Sequence, residues 1–195
     1  MSLISDLFAD HFAAVTALRA QEPEIKQLGE RLIASLCGGH RIFLCGNGGS
    51  AADAQHIAAE MVCRFETQRR ALPAIALTTD TSALTAISND FGYEQVFARQ
   101  IEALARPGDL LIGISTSGNS ANIIAAVRQA KQMGISSIGL LGGSGGELRN
   151  LADQALIVPD SVTARIQECH ILVGHIWCSM IDTAFGEAIG SVRIK

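Results

Sequence analysis

The sequence is short of charge. Only 17 % of its 195 residues are Asp, Glu, Lys or Arg, and 19 acidic side chains outnumber 15 basic ones for a formal net charge of −4. A dedicated nucleic-acid binder neutralises phosphates with a basic stripe, so this balance argues against one. No pair of cysteines stands in a C-x-x-C arrangement, and the total of five is odd. Cys37, Cys45, Cys63, Cys169 and Cys178 therefore read as small buried hydrophobes in a reducing compartment. A membrane-spanning run is also missing: the most apolar late segment, Ile171 to Ile181, is too short and carries His175. Asp6 and Asp10 interrupt the region where a signal peptide needs a basic stretch and then an apolar one. A cytoplasmic protein with no membrane and no nucleic-acid partner is the expectation.

Hydrophobic residues are abundant, at 48 %, which excludes a disordered chain and suggests much surface buried between elements or between subunits. The length suits one domain, in which roughly 70 % of the unfolded chain's surface can be buried without a disulfide or metal staple.

Helical periodicity runs through Leu3, Leu7, Phe8, Phe12, Val15 and Leu18, then resumes after Pro23 with Ile25, Leu28, Leu32, Ile33 and Leu36. Two helices, within about residues 2–37, thus precede any strand. The run Arg41 to Cys45, bounded by glycines, reads as a buried strand, followed by a helix from Ser50 to about Glu66. The alternation repeats: strand Pro73 to Leu77, helices Thr81 to Ser88 and Tyr93 to Ala105, strand Asp109 to Ile114, helix Ala121 to Met133 and strand Ser136 to Leu141. A glycine-rich turn from Gly142 to Gly146, a short strand Ala155 to Val158 and a helix from about Ala164 to Phe185 close the chain. Apolar strands separated by helices define an α/β fold with a parallel sheet covered on both faces.

Two loops at strand ends carry the first chemical signal. Gly46-x-Gly48-x-x-Ala51 formally fits a dinucleotide fingerprint, with Glu66 and Asp80 as the acidic candidates further along. Its physical content is narrower: small residues allow close backbone approach, and a helix start presents free N–H groups to an anion. A tight turn capped by Ser50 fits the same residues. The second loop, Ser115-Thr-Ser-Gly-Asn-Ser120, packs four hydroxyls and an amide into six residues before another helix. Hydroxyls and backbone amides together can hold a phosphate without a cation. Superposing Ser50 on Ser120 also aligns Gly48 with Gly118 and Ala51 with Ala121, which puts both loops on the ligand-binding edge of a doubly wound sheet.

His56 and Glu60, four apart on a helix, project from one face and can chelate one metal, exchange protons or simply form a surface pair. On the last helix Gln167 pairs by spacing with His170, whereas His175 lies eight residues on, about 12 Å along the axis. Either histidine also suits a plain core position.

These segments together carry a resemblance. Cys45-Gly-Asn-Gly-Gly-Ser-Ala-Ala-Asp-Ala-Gln-His56, Ala59-Glu60, Arg64-Phe65, Leu77-Thr-Thr-Asp80, Ser88-Asn-Asp90, Gly113-Ile-Ser-Thr-Ser-Gly-Asn-Ser-Ala-Asn122 and Ala164-Arg-Ile-Gln-Glu168 with His175 match one pattern in order and spacing. The chain resembles the sedoheptulose 7-phosphate (phosphoheptose) isomerases of the sugar-isomerase, or SIS, fold over nearly its whole length. The resemblance implies a single SIS domain over 1–195, a five-stranded parallel sheet flanked by helices, and a homotetramer with sites at subunit boundaries. It implies conversion of D-sedoheptulose 7-phosphate to D-glycero-D-manno-heptose 7-phosphate through an enediol, on the way to ADP-heptose precursors of bacterial surface polysaccharides.

Carried over residue by residue, contacts to the phosphorylated seven-carbon sugar fall on Asn47, Gly48, Gly49, Ser50, Glu60, Asn89, Asp90, Ser115, Thr116, Ser117, Ser120 and Gln167. One zinc per subunit falls to His56, Glu60, Gln167 and His175, with Glu60 and His175 as the acid/base pair. The family pattern thus selects His175 where helical spacing favours His170. Ala164 departs from it, standing where some relatives place an acidic residue. The competing readings are a SIS protein that binds a sugar phosphate or a partner without chemistry, and a nicotinamide-dependent oxidoreductase that uses the first glycine loop. The first loses residues this chain keeps, Glu60 and His175; the second leaves the serine-rich loop unexplained.

Overall fold

A computed structural model describes residues 2–186; the final stretch of the expected domain, 187–195, lies outside the described residues. The two leading helices are α1 (Leu3–Arg19) and α2 (Glu22–Cys37), with Pro23 in the first turn of α2, where its missing N–H costs no hydrogen bond. There follow β1 (Ile42–Cys45), α3 (Gly49–Val62), β2 (Ala74–Ala76), α4 (Thr81–Phe91), a 3₁₀ turn (Tyr93–Gln95), α5 (Ala98–Leu104) and β3 (Leu110–Ser115). The chain continues through α6 (Ala121–Gln132), β4 (Ser136–Gly142), α7 (Leu148–Leu151), β5 (Gln154–Val158) and α8 (Thr163–Phe185).

The five strands form one parallel sheet in the order β2-β1-β3-β4-β5, as the apolar alternation with helices leads one to expect. Side chains alternate across it. Ile42, Leu44, Leu110, Ile112, Ile138 and Leu140 face a core shared with α1, α2, α3 and α8, while Phe43, Leu111 and Leu141 face a second core with α5 and α6. Trp177 of α8 is wholly buried in the first core and donates its indole N–H to the Ile25 carbonyl at 3.0 Å, tying α8 to α2.

Three local expectations need correction. The helix after the first loop stops at Val62 rather than near Glu66, because Cys63 leaves helical geometry and the chain folds back toward β2. The stretch expected as one helix from Tyr93 to Ala105 is a 3₁₀ turn and then a shorter helix, and α4 runs on to Phe91, where Gly92 ends it. Only Cys45, Cys169 and Cys178 are buried; Cys37 and Cys63, near the C-terminal ends of α2 and α3, are exposed, and all five are free thiols. No helix among the described residues is long and apolar enough to cross a membrane.

Candidate active site

The strand order reverses direction between β1 and β3: β1 leads through α3 to β2 on one side, and β3 leads through α6 to β4 on the other. Such a switch opens a crevice at the C-terminal ends of the two strands, and both signal loops fall there. They are wired together. Asn47 and Asn122 exchange side-chain hydrogen bonds, each amide donating at 2.8 Å, and the Tyr93 hydroxyl donates to Asn47 Oδ1 at 3.2 Å. Neither Asn122 nor Tyr93 has an assigned role in the sequence reading; only their position beside Asn47 in space reveals one.

Ser50 caps nothing. Gly48 occupies the N-cap of α3 and Ser120 that of α6, and neither helix has a side chain bonded to its leading N–H groups. Ser50, Ala51 and Ala52 in α3 and Ile123 and Ile124 in α6 already donate to backbone carbonyls, which leaves the N–H groups of Gly49, Ala121 and Asn122 for an anion, with the positive ends of both helix dipoles behind them. In the second loop Ser115 and Ser120 share a hydrogen bond of 2.9 Å, and the Gly118 N–H donates to the Ser115 hydroxyl at 3.1 Å. Thr116 and Ser117 line an open pocket of about 290 Å³ together with Gly143, Ser144, Asp160 and Ser161 from the loops after β4 and β5.

The helices α3 and α8 run side by side and in parallel, since Gln167 meets Gly49 near their starts and Gly174 meets Ile57 further along. The Gln167 side chain lies so close over Gly49 that a Cβ there would sit 2.5 Å from its amide nitrogen. Two to three turns beyond, His56 Nε2 stands 3.2 Å from a Glu60 carboxylate oxygen and 3.4 Å from His175 Nε2. The Phe65 ring stacks on the His175 imidazole at 5.2 Å between centroids. Phe65 is a contact that spacing does not disclose, because it belongs to the segment that turns back after α3.

The structure thus brings His56, Glu60 and His175 together and sets Gln167 at the N-terminus of α3. His170 goes elsewhere. It is fully buried, with Nε2 2.9 Å from the Leu141 carbonyl oxygen and Nδ1 without a partner, and burial lowers its pKa to about 4. Asn89 and Asp90 sit at the exposed end of α4, where the Asn89 amide donates to Asp90 at 2.7 Å. Asp53, one turn before His56, has a buried carboxylate oxygen without a partner, and burial raises its pKa to about 6 against the opposing pull of His56.

Two imidazoles and a carboxylate are the donor types zinc takes, and neighbouring donors around a tetrahedral zinc are separated by roughly 3.3 Å, close to the two spacings here. Among the described residues no group of three or more His, Cys, Asp or Glu stands in an arrangement that could hold a metal ion as it is. Both Glu60 and His175 are set against His56 Nε2 rather than around one shared point. The donor chemistry fits a metal, and Glu60 and His175 would have to turn toward it.

A parallel five-stranded sheet with hydroxyl-rich loops at its switch point defines a sugar-phosphate protein of the SIS class, and the family model for the SIS domain matches residues 8–142. A phosphoheptose isomerase from a Nitratiruptor species is 64 % identical over 145 residues, covering 74 % of this chain and 78 % of that protein. One from a Roseiflexus species is 57 % identical over 170 residues, covering 87 % and 86 %. The structure of a phosphoheptose isomerase from Neisseria gonorrhoeae superposes with a TM-score of 0.88 at 46 % identity, over 92 % of this chain and 97 % of that one. The chain belongs to the phosphoheptose isomerase family of SIS-domain proteins.

Proposed function

We propose that this protein is an aldose-ketose isomerase that converts D-sedoheptulose 7-phosphate to D-glycero-D-manno-heptose 7-phosphate in heptose biosynthesis. The observation that carries the reading is the meeting of Glu60, His56 and His175 on α3 and α8, whose α3 starts at a phosphate-suited loop. The isomerisation moves one proton between C1 and C2 and another between their oxygens. Glu60 takes the C1 proton, leaving an enediol, and returns a proton to C2; His175 donates to O2 and receives the proton of O1. The phosphate end is held by Ser115, Thr116, Ser117 and Ser120 and by the free first N–H groups of α3 and α6, those of Gly49, Ala121 and Asn122, with Asn47, Gly48 and Ser50 beside it. Gripping this remote group supplies binding energy for orientation at C1 and C2. Gln167, Asn89 and Asp90 complete the sugar contacts.

One zinc per subunit is part of the proposal, with His56, Glu60 and His175 as donors and Gln167 as the fourth. Bound there, it would stabilise negative charge developing on the sugar oxygens. The working form is a homotetramer in the cytoplasm with sites at subunit boundaries. Incubation of the purified protein with sedoheptulose 7-phosphate should yield the aldose, and Glu60→Gln should lower kcat by about 10² to 10⁴. Elemental analysis should find one zinc per subunit, lost in His56→Ala. A protein that binds the sugar phosphate and never turns it over, with zinc supplied, would instead be a non-catalytic SIS module.

A further inference from the structure

Behind the acid/base pair lies a buried ion pair to which the reaction assigns no part. Arg69, in the segment between α3 and β2, has a side chain with 0 % exposure, and Asp182, seven residues past His175 on α8, has one with 4 %. Every polar edge of the pair is engaged. Arg69 Nε donates to Asp182 at 2.7 Å, Nη2 donates to the Glu60 carbonyl at 2.7 Å, and Nη1 donates to the carbonyls of Met61 at 2.9 Å and Arg70 at 3.0 Å. The other Asp182 oxygen accepts from the backbone N–H groups of Glu66 at 2.6 Å and Thr67 at 2.7 Å.

We propose that Arg69 and Asp182 are positioning residues that set Glu60 and His175 at their working separation. Glu60 and Met61 lie in the last turn of α3, whose carbonyls have no partner within the helix, so the guanidinium both satisfies that end and grips the residue that carries the base. Asp182 is fixed in α8, the helix that carries His175. The pair is therefore a cross-brace between the two helices whose side chains must meet. The same carboxylate holds the backbone of Glu66 and Thr67, next to Phe65, whose ring lies on His175. Arg69 also forms a β-bridge with Gly186, just past the end of α8. A buried ion pair is weak evidence for stability, since an apolar pair of similar volume often folds as well. Its forked geometry, reaching three carbonyls and a carboxylate, suits the fixing of positions.

This inference rests on the proposed isomerase, and the test separates the two. Arg69→Met combined with Asp182→Leu removes the brace and leaves no unpaired buried charge. Arg69→Lys is the second variant: it keeps the ion pair and gives up the grip on the α3 carbonyls. Assayed well below their melting temperatures, both should lose kcat, by about 10²-fold in the double variant, with KM for the heptulose phosphate little changed. Without substrate, the imidazole resonance of His175 should move in both variants, in the double variant as Phe65 shifts and in Arg69→Lys as Glu60 shifts against His56, while that of His170 stays in place. Folded variants with wild-type kcat and an unmoved His175 resonance would overturn the proposal. An inactive wild-type protein would overturn the isomerase reading instead, and the His175 resonance would still report on the brace.

Discussion

His170 and His175 stand little more than one turn apart on α8 and meet opposite surroundings. His170 is sealed between α8 and β4, bonded through Nε2 to the Leu141 carbonyl, and burial brings its pKa from 6.5 to about 4. In the unfolded chain it takes up a proton earlier as pH falls. The stability it contributes is whole above about pH 6.5 and is lost as pH falls toward about 4. Asp53 has the reverse sign. Burial raises its carboxyl from 3.8 to about 6, so the folded state holds its proton longer than the unfolded one. Its contribution is whole at the acid end and lost as pH rises through about 6. Thermal melts followed by circular dichroism should therefore separate two variants. His170→Gln, which keeps a donor for Leu141, should flatten the loss of melting temperature between pH 6.5 and 4. Asp53→Asn should raise the melting temperature at pH 8 relative to the wild type and bring little gain at pH 4. Identical pH profiles for wild type and variant would remove the corresponding assignment.

The loop between β3 and α6 works as a unit with the loop after β4. Gly118 has a φ of +68°, and a Cβ on it would run into the Gly145 carbonyl. Its own carbonyl accepts from the Leu148 N–H at 3.0 Å, and Asn119 accepts from the Glu147 N–H at 3.0 Å. Gly118→Ala should open this joint and spoil the alignment of Ser115, Thr116, Ser117 and Ser120, raising KM for the sugar phosphate by about tenfold or more. Steady-state kinetics with a KM equal to that of the wild type would show that the loop tolerates the strain. Hydroxyls and glycines at a strand-to-helix junction are visible in sequence, and so is the sheet that carries them, because apolar runs separated by helical periods allow few other layouts. Spacing along one helix fails where two helices share the chemistry. His170 falls on the better spacing from Gln167, yet α3 meets α8 along the face that bears His175. The early end of α3 is hidden for a similar reason: Arg69 takes two of its last carbonyls from eight and nine residues away, and no local signal marks that. The pairing of Asn47 with Asn122 and Tyr93 depends likewise on strand order.

The high apolar share of the composition is only partly spent inside the chain. Leu3, Ile4, Leu7, Phe8 and Phe12 on α1 are exposed by 47 to 74 %, and Ile176 on α8 by 37 %. A groove of about 560 Å³ runs between α1, α2 and α8, lined by Val15, Leu18, Ile25, Leu172, Ile176 and Met180. An apolar stripe of this extent is unusual on a chain that stays alone and suits helix packing against further copies. His175 and Ile176 are neighbours on α8 and both line an open cavity with Phe65 and Met180, so the stripe runs up to the reacting groups. The proposed tetramer with sites at subunit boundaries would couple assembly to catalysis through this stripe. Phe8→Glu combined with Phe12→Glu puts two charges on the stripe and leaves both cores untouched. Light scattering should find a mass about four times that of one chain for the wild type and a smaller species for the variant. If sites are shared between subunits, kcat should fall with assembly and recover as rising protein concentration restores it. A fully active monomer would place every required group within one chain, and the subunit-boundary site would have to be abandoned while Glu60 and His175 kept their roles.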